Sequence, residues 1–331
     1  MTQQVLLTGA TGYIGGRLLR RLEDERRQVR CLVRDASRLG GARGGATEIV
    51  EGDVLDESCL DRALAGVHTA YYLVHSMASS ADYDEVDRRA AATFGRAAAR
   101  AGVKRIVYLG GLTDDTATVS KHLESRAETG RVLRESGVPV VEFRASVVVG
   151  AGSLSFEMIA ALVERLPIMV TPRWVSTPTQ PIAIADVLAY LVAALDLPDG
   201  TQGVFEIGGA DVVTYGGMMQ QYAALRGLTR RFISVPLLTP HLSGLWLALV
   251  TPAQAQVGRA LVEGLRNPTV VRSAAAREVF AIEPTPLREA FLTAIREGAP
   301  ARLKRDSRTI SVRATPEAAF RPVRRIGGDT G

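Results

Sequence analysis

Cysteine, histidine, lysine and aromatic residues are all scarce in this 331-residue chain, which has two cysteines, four histidines and 5% aromatics. Cys31 falls in an apolar segment read as a strand and Cys59 in one read as a helix, without paired spacing. Neither a disulfide framework nor a thiolate metal site is therefore expected. The histidines lack ligand spacing, so no metal is expected from them either. Lysine occurs only at Lys104, Lys121 and Lys304, and the formal net charge of +5 is carried almost wholly by arginine. No basic stripe interleaved with aromatics accompanies it, so nucleic acid is not an expected partner. Long apolar runs are missing too. The stretch from Val235 to Val250 is broken by Pro236, Pro240, His241, Ser243 and Gly244 and is shorter than the roughly 20 apolar residues of a membrane span. Within it, Leu242, Leu245, Trp246, Leu247 and Leu249 read as the buried face of a lobe helix in preference to a membrane-surface anchor. A first strand that begins by Val5 leaves no room for a signal peptide, and a cytoplasmic protein is expected.

Glycine, by contrast, is abundant and placed with meaning. Thr8-Gly9-Ala10-Thr11-Gly12-Tyr13-Ile14-Gly15 is a glycine-rich turn between an apolar strand, Val5-Leu6-Leu7, and an amphipathic helix from Arg17 to Glu25. Such a turn presents backbone N–H groups at a helix N-terminus to a pyrophosphate. Gly9 and Gly12 remove the side chains that would block that approach, and Gly15 lets the helix pack close to the sheet. The first half of the chain then repeats strand and helix. Short, branched, apolar strands are read at Val5–Thr8, Val29–Val33, Thr47–Glu51, Ala70–Val74, Arg105–Leu109 and Val138–Phe143, with helical patterns such as Arg88–Ala101 and Glu124–Glu135 between them. This is the pattern of an α/β doubly wound parallel sheet.

The second strand ends in Cys31-Leu32-Val33-Arg34-Asp35, where such a sheet meets the adenosine ribose. A leading acidic residue would select NAD, whereas the Arg34 guanidinium suits a 2′-phosphate, with Arg38 one turn on as a second arm. NADP (NADPH) is expected in preference to NAD. Asp35 carries the competing reading, in which it takes the ribose itself. After the third strand, Gly52-Asp53-Val54 lies where the adenine amine is held, and Asp53 reads either as that partner or as the N-cap of a helix from Glu57 onward. Tyr71 and Tyr72 alternate across the fourth strand, so one of them is expected to pack under a helix.

Thr8 to Gly15, Gly52-Asp53, Val103 to Tyr108 and Gln180 to Val187 together resemble the short-chain dehydrogenase/reductase superfamily in its extended, atypical branch. The resemblance covers roughly residues 3 to 295 and is strongest to the NmrA-like and complex-I-accessory-like NAD(P)-binding proteins, which include both reductases and cofactor binders without catalysis. It implies a Rossmann fold with cofactor contacts from Gly9, Thr11, Gly12, Tyr13, Ile14, Gly15, Arg34, Arg38, Asp53, Val54 and Val74. Val147 and Val148 would add backbone contacts to the nicotinamide carboxamide. The chain departs from the superfamily where catalysis is usually carried. Gly110-Gly111 stands in place of the serine, and His122-Leu123-Glu124-Ser125-Arg126 in place of Tyr-x-x-x-Lys. Arg126 reads as a holder of the nicotinamide ribose, since a guanidinium does not give up its proton. His122 takes the tyrosine's place and reads either as a general acid or as a solvated residue near a helix start. His75, at the end of the fourth strand, reads either as a catalytic group or as a polar pocket wall.

After Gly150, Ser153 or Ser155 is expected to cap a helix, with Ser155, Phe156 and Glu157 as candidates for the substrate side of the cleft. The expected organisation is a dinucleotide-binding domain over 1–168 and 181–210, and a smaller, mostly helical substrate lobe over 169–180 and 211–298. A basic tail over 299–331 resembles the opening of a second domain. The functional expectation is an NADP(H)-dependent oxidoreductase acting on a small carbonyl, enone or quinone-like substrate. The alternative is a non-catalytic NADP(H)-binding sensor or assembly factor. A sugar-nucleotide epimerase or dehydratase would need the tyrosine that is absent. A homodimer through the helices flanking the fifth strand is implied by the resemblance, although their alanine clusters suit burial against the chain's own sheet equally well.

Overall fold

A strand that is apolar on both faces needs a helical layer on each side, and the spacing of apolar residues in this chain supplies both. The computed structural model describes residues 3–39, 47–74, 83–112, 121–234 and 267–298. Strands β1 (Gln4–Thr8), β2 (Gln28–Val33), β3 (Thr47–Glu51), β4 (Thr69–Tyr72), β5 (Arg105–Gly111) and β6 (Val140–Ala145) alternate with helices α1 (Tyr13–Asp24), α2 (Glu57–Leu64), α3 (Tyr83–Arg100) and α4 (Lys121–Arg134). The chain continues through β7 (Val148–Val149), α5 (Leu154–Arg165), β8 (Ile168–Thr171), β9 (Pro178–Thr179), β10 (Ile182–Ala183), α6 (Ile184–Ala193), β11 (Gly203–Ile207) and β12 (Val213–Thr214). It then forms α7 (Tyr215–Leu225), β13 (Arg231–Ser234), α8 (Ala275–Val279) and α9 (Leu287–Gly298).

Seven strands pair in parallel in the order β11-β6-β5-β4-β1-β2-β3. The order reverses at β1, whose neighbours β2 and β4 lie on opposite sides. This is the doubly wound Rossmann sheet that the strand and helix pattern predicts. Helix starts fall earlier than the sequence pattern places them, at Tyr13 against Arg17 because Tyr13 to Gly15 also belong to the glycine-rich motif, and at Tyr83 against Arg88 because that first turn carries few apolar residues. The strand latest in the chain to join this sheet, β11, pairs with β6 at its edge.

Three apolar clusters hold the layers. On one face of the sheet, Leu18, Leu19 and Leu22 of α1 meet Val187, Tyr190 and Leu191 of α6 over β1, β5 and β6. On the other, Leu60 and Leu64 of α2 and Phe94, Ala97 and Ala98 of α3 cover Leu6, Ala70 and Ile106. The third cluster joins α5, from the expected dinucleotide-binding domain, to α7 and α9 of the expected lobe in one apolar core, where Phe156, Tyr222 and Phe291 sit with ring centroids 5.8 to 5.9 Å apart. Of the alanines expected to permit close helix approach, Ala90, Ala91, Ala97 and Ala98 are buried within the chain's own fold, whereas Ala92 is half-buried and Ala99 exposed. Both cysteines are buried, and burial raises the pKa of both thiols, that of Cys31 to about 12, which keeps them protonated.

Tyr71 and Tyr72 both pack under helices, a correction to the expectation that one would. Successive side chains leave opposite faces of a strand, and here both faces are covered. The Tyr72 ring packs tilted against Phe94 of α3, with centroids 4.9 Å apart, while the Tyr71 hydroxyl donates to the Leu191 carbonyl at 2.7 Å. That carbonyl lies in the last turn of α6, where helix geometry leaves acceptors without intrahelical donors. Tyr71→Phe keeps the ring and removes the donor, and should lower unfolding free energy by about 1–2 kcal/mol in urea titration.

Candidate nucleotide and substrate cleft

The cleft begins where β1 hands the chain to α1. Gly9 adopts φ +77°, the left-handed region that side chains disfavour, and a Cβ there would stand 2.4 Å from the Leu73 carbonyl oxygen at the end of β4. The Thr8 hydroxyl locks the same seam, donating to the Tyr71 carbonyl at 2.9 Å and accepting from the Leu73 N–H at 3.2 Å. Gly12 N–H donates to the Gly9 carbonyl at 2.9 Å, and Gly12 then serves as the N-cap of α1 in an extended conformation. No side chain caps this helix. Its first N–H groups, with the positive end of the helix dipole, are left for an anion. A Cβ on Gly15 would meet the Gly9 carbonyl oxygen at 2.1 Å, whereas one on Gly12 would meet only that oxygen, at 3.2 Å. Gly9 and Gly15 are thus demanded by backbone packing, and Gly12 keeps the cleft wall clear.

From this turn a cavity of about 420 Å³ runs across the carboxyl ends of β4, β5 and β6, at the point where the strand order reverses. Gly9, Gly12, Tyr13, Ile14 and Gly15 line one end. Val74, Arg126, Val147 and Val148 line the rest together with Gly110, Gly111 and Ser155. Sequence-predicted residues far apart in the chain therefore meet in one cleft. Thr11, Arg34, Arg38, Asp53 and Val54 lie outside this lining.

Tyr13 opens α1 with its ring under the Arg17 guanidinium, 4.1 Å from carbon to centroid, and Arg17 Nη2 donates to the Ala151 carbonyl at 2.6 Å. The Tyr13 hydroxyl is buried without a partner among the described residues, and its burial raises the phenol's pKa. At the other end, Arg126 Nη2 donates to the Leu109 carbonyl at 2.6 Å and Tyr108 donates to the Arg126 carbonyl at 2.9 Å. Arg126 Nε is buried with no hydrogen-bond partner among the described residues. A buried donor left unpaired costs free energy, so this atom calls for a ligand acceptor. Gly111 lets α4 come this close, since a Cβ there would stand 2.9 Å from Leu123 Cδ2.

At the end of β2, Asp35 Oδ1 accepts from the Ser37 N–H at 3.0 Å and from its hydroxyl at 2.6 Å, which hold its carboxyl below the usual range. Arg34 and Arg38 are exposed beside it, and Arg34 makes no hydrogen bond or ion pair among the described residues. Asp53 does not cap α2, a correction to one of its two readings. Asp56 does, accepting from Ser58 and Cys59 N–H groups at 2.9 and 3.3 Å, because it immediately precedes the helix. Asp53 Oδ1 instead accepts from the Leu55 N–H at 2.9 Å, and Val54 packs against the core under α2.

Ser153 caps α5 as expected, accepting from the Phe156 N–H at 3.2 Å while donating to the Val148 carbonyl at 2.9 Å. Ser155 lines the cleft, but Phe156 points into the lobe core and Glu157 is exposed. His122 is the second residue of α4, with its side chain outside the described residues; His75, the 235–266 stretch and the 299–331 tail also lie outside them.

Sequence reading missed a buried hydroxyl cluster on the cleft wall. Ser146 Oγ lies 3.2 Å from Thr179 Oγ1 and 3.0 Å from Thr269 Oγ1, and donates to the Thr269 carbonyl at 2.9 Å. The two threonine hydroxyls are 2.7 Å apart, and both hydrogen-bond with Tyr215, whose phenol burial pushes up to about 12. The only local signal was Thr214, the N-cap that starts α7.

The NmrA-like family model matches residues 1–237. The (4-alkanoyl-5-oxo-2,5-dihydrofuran-3-yl)methyl phosphate reductase of Streptomyces griseus is 31% identical over 236 residues, 69% of this chain and 76% of that protein. The photosystem II assembly factor Ycf39 of Trieres chinensis is 23% identical over 235 residues, 70% of this chain and 72% of that protein. Among solved structures, Citrobacter sp. triphenylmethane reductase complexed with NADP(H) superposes with a TM-score of 0.71 at 19% identity, over 88% of this chain and 100% of that one, and so shares the fold.

The close backbone approach at Gly15 and the looser one at Gly12 predict different costs for a side chain. Gly15→Ala should lower unfolding free energy by about 1–3 kcal/mol through overpacking, whereas Gly12→Ala should stay within about 1 kcal/mol of the parent in the same urea titration.

Proposed function

The chain belongs to the NmrA-like family, and we propose on that footing that it is an NADP(H)-dependent reductase of a small carbonyl, enone or quinone-like compound. The observation that carries this is the pairing, within one cleft, of an uncapped helix N-terminus at one end with the unpartnered Arg126 Nε at the other. An anion and a hydrogen-bond acceptor are wanted some distance apart, which a dinucleotide supplies. Gly9, Gly12, Tyr13 and Ile14 would hold the pyrophosphate, Arg126 the nicotinamide ribose, and the backbone at Val147 and Val148 the carboxamide. Asp53 would meet the adenine amine. With Asp35 committed to Ser37, Arg34 and Arg38 are the groups left to meet the ribose, and guanidinium forks suit a 2′-phosphate. When bound, the nicotinamide supplies the hydride. The similar Streptomyces reductase is named for an unsaturated lactone, which supports a conjugated carbonyl as the substrate class.

A second reading, a cofactor-binding protein without turnover, is favoured by Gly110-Gly111 at the cleft and by similarity to a protein named as an assembly factor. Among the described residues no helix is long and apolar enough to cross a membrane.

Calorimetric titration with NADPH and NADH tests the cofactor assignment. The parent protein should prefer NADPH, and Arg34→Ala should weaken NADPH binding at least tenfold, about 1.4 kcal/mol, while leaving NADH unchanged. Equal affinity of the parent for both nucleotides would overturn the 2′-phosphate assignment. Binding of neither would overturn the reductase and the binder readings together.

A further inference from the structure

A reductase that hands hydride to a carbonyl compound must also deliver a proton, and His122, which takes the place of the tyrosine of the reductases the chain resembles, has its side chain outside the described residues. Among the described groups that line the cleft and carry an exchangeable proton, Arg126 stays charged. Ser153 is committed on both sides, to Val148 and to Phe156. Tyr13 sits at the glycine turn, the end assigned to the pyrophosphate. Ser155 is an aliphatic alcohol, a weaker acid than a phenol. Tyr215 is the remaining phenol of the cleft.

Its position is built rather than incidental. Thr214 caps α7 by accepting from the Gly217 N–H at 3.0 Å, and Val213 pairs with Thr179 across β12 and β9. The Tyr215 ring is buried in the lobe core with Met218 and Tyr222, which leaves the hydroxyl to the threonine pair. Thr269 is held in turn, its carbonyl accepting from the Gln180 N–H and the Ser146 hydroxyl, each at 2.9 Å. Ser146 immediately precedes the Val147–Val148 segment assigned to the carboxamide. Four hydroxyls therefore connect the start of α7 to the end of β6 along the cleft wall.

We infer that Tyr215 is the proton donor of the proposed reduction, handing its phenolic proton to the substrate oxygen and being recharged through the Thr179, Thr269 and Ser146 hydroxyls. This rests on the reductase reading above. As the hydride pair from the dihydronicotinamide adds to the electrophilic carbon, the substrate π pair moves onto oxygen. That oxygen forms its O–H bond as the Tyr215 O–H bond breaks. The phenolate takes a proton from a threonine hydroxyl, which is replaced along the chain from water. The substrate gains two electrons and the dihydronicotinamide is oxidised. Burial keeps the phenol protonated at neutral pH, so it begins the cycle as a donor.

The test compares the full chain with Tyr215→Phe, which keeps the packed ring, and with Thr269→Val, which breaks the hydroxyl chain but leaves the phenol. NADPH affinity by calorimetry serves as the folding control and should stay within twofold in both. With 2-cyclohexen-1-one, Tyr215→Phe should lower kcat at least 100-fold. With menadione, whose reduced oxygen is less basic, the loss should be smaller. A second readout is independent of turnover. 4-Nitrophenolate, an oxyanion probe followed by its visible absorbance, should bind the NADP⁺-loaded parent and Thr269→Val at least tenfold more tightly than Tyr215→Phe. Thr269→Val should lower kcat about tenfold with KM unchanged. Equal turnover in parent and Tyr215→Phe, or equal affinity for the probe, including no binding by either, overturns the assignment of Tyr215 while leaving the reductase reading intact. Absence of turnover in the parent with both acceptors overturns the two together.

Discussion

The close approach of the β1–α1 turn to the end of β4 is the constraint on which the rest of the cleft depends. Backbone meets backbone there, with room for no side chain at Gly9 and with the Thr8 hydroxyl extending the pairing of the two strands to their ends. Because β2 and β4 flank β1 on opposite sides, the chain leaves the sheet toward opposite faces and a crevice opens between the departing segments. Gly15 then brings α1 against the same turn, so the helix axis points into that crevice. The cavity's position follows from these contacts, and so do the identities of the strand ends that line it.

What could be read in the sequence was what local periodicity encodes. Branched strands, the glycine turn and Ser153 before its helix are all short-range patterns, and the fold reproduces them. Local patterns left choices that only packing resolves. Asp53 and Asp56 are both plausible caps three residues apart, and the start of α2 decides between them. Tyr71 and Tyr72 look like an inside and outside pair until both faces of the sheet turn out to be covered. The hydroxyl cluster was illegible for a different reason. Ser146, Thr179, Tyr215 and Thr269 are spread over more than 120 residues, and only the pairing of β9 with β12 and the bridge from Thr179 to Thr269 bring them together.

Arginine in place of lysine changes what the cleft can do as well as what it can hold. A guanidinium forms directional, forked hydrogen bonds and remains charged, so Arg126 gains positioning power and loses any part in proton movement. The superfamily's joint use of one tyrosine and one lysine is thereby divided. On the proposed assignment, binding would rest with Arg126 of α4, and the proton would come from elsewhere on the wall. A relative that keeps only the first of these tasks would retain nucleotide affinity without turnover, which is one way a single family can include both reductases and assembly factors.

The two buried thiols have a practical consequence. Cys31 sits inside β2, and Cys59 fills the space that a side chain on Gly52 would need, its Sγ lying 1.9 Å from where that Cβ would stand. The whole chain has only these two cysteines, so no thiol reaches the surface of the folded protein. A cysteine introduced at exposed Ser37 would be the one site open to a fluorescent maleimide, beside Arg34 and Arg38. The native chain is in effect already a cysteine-free scaffold, ready for single-site labelling without first removing its own residues.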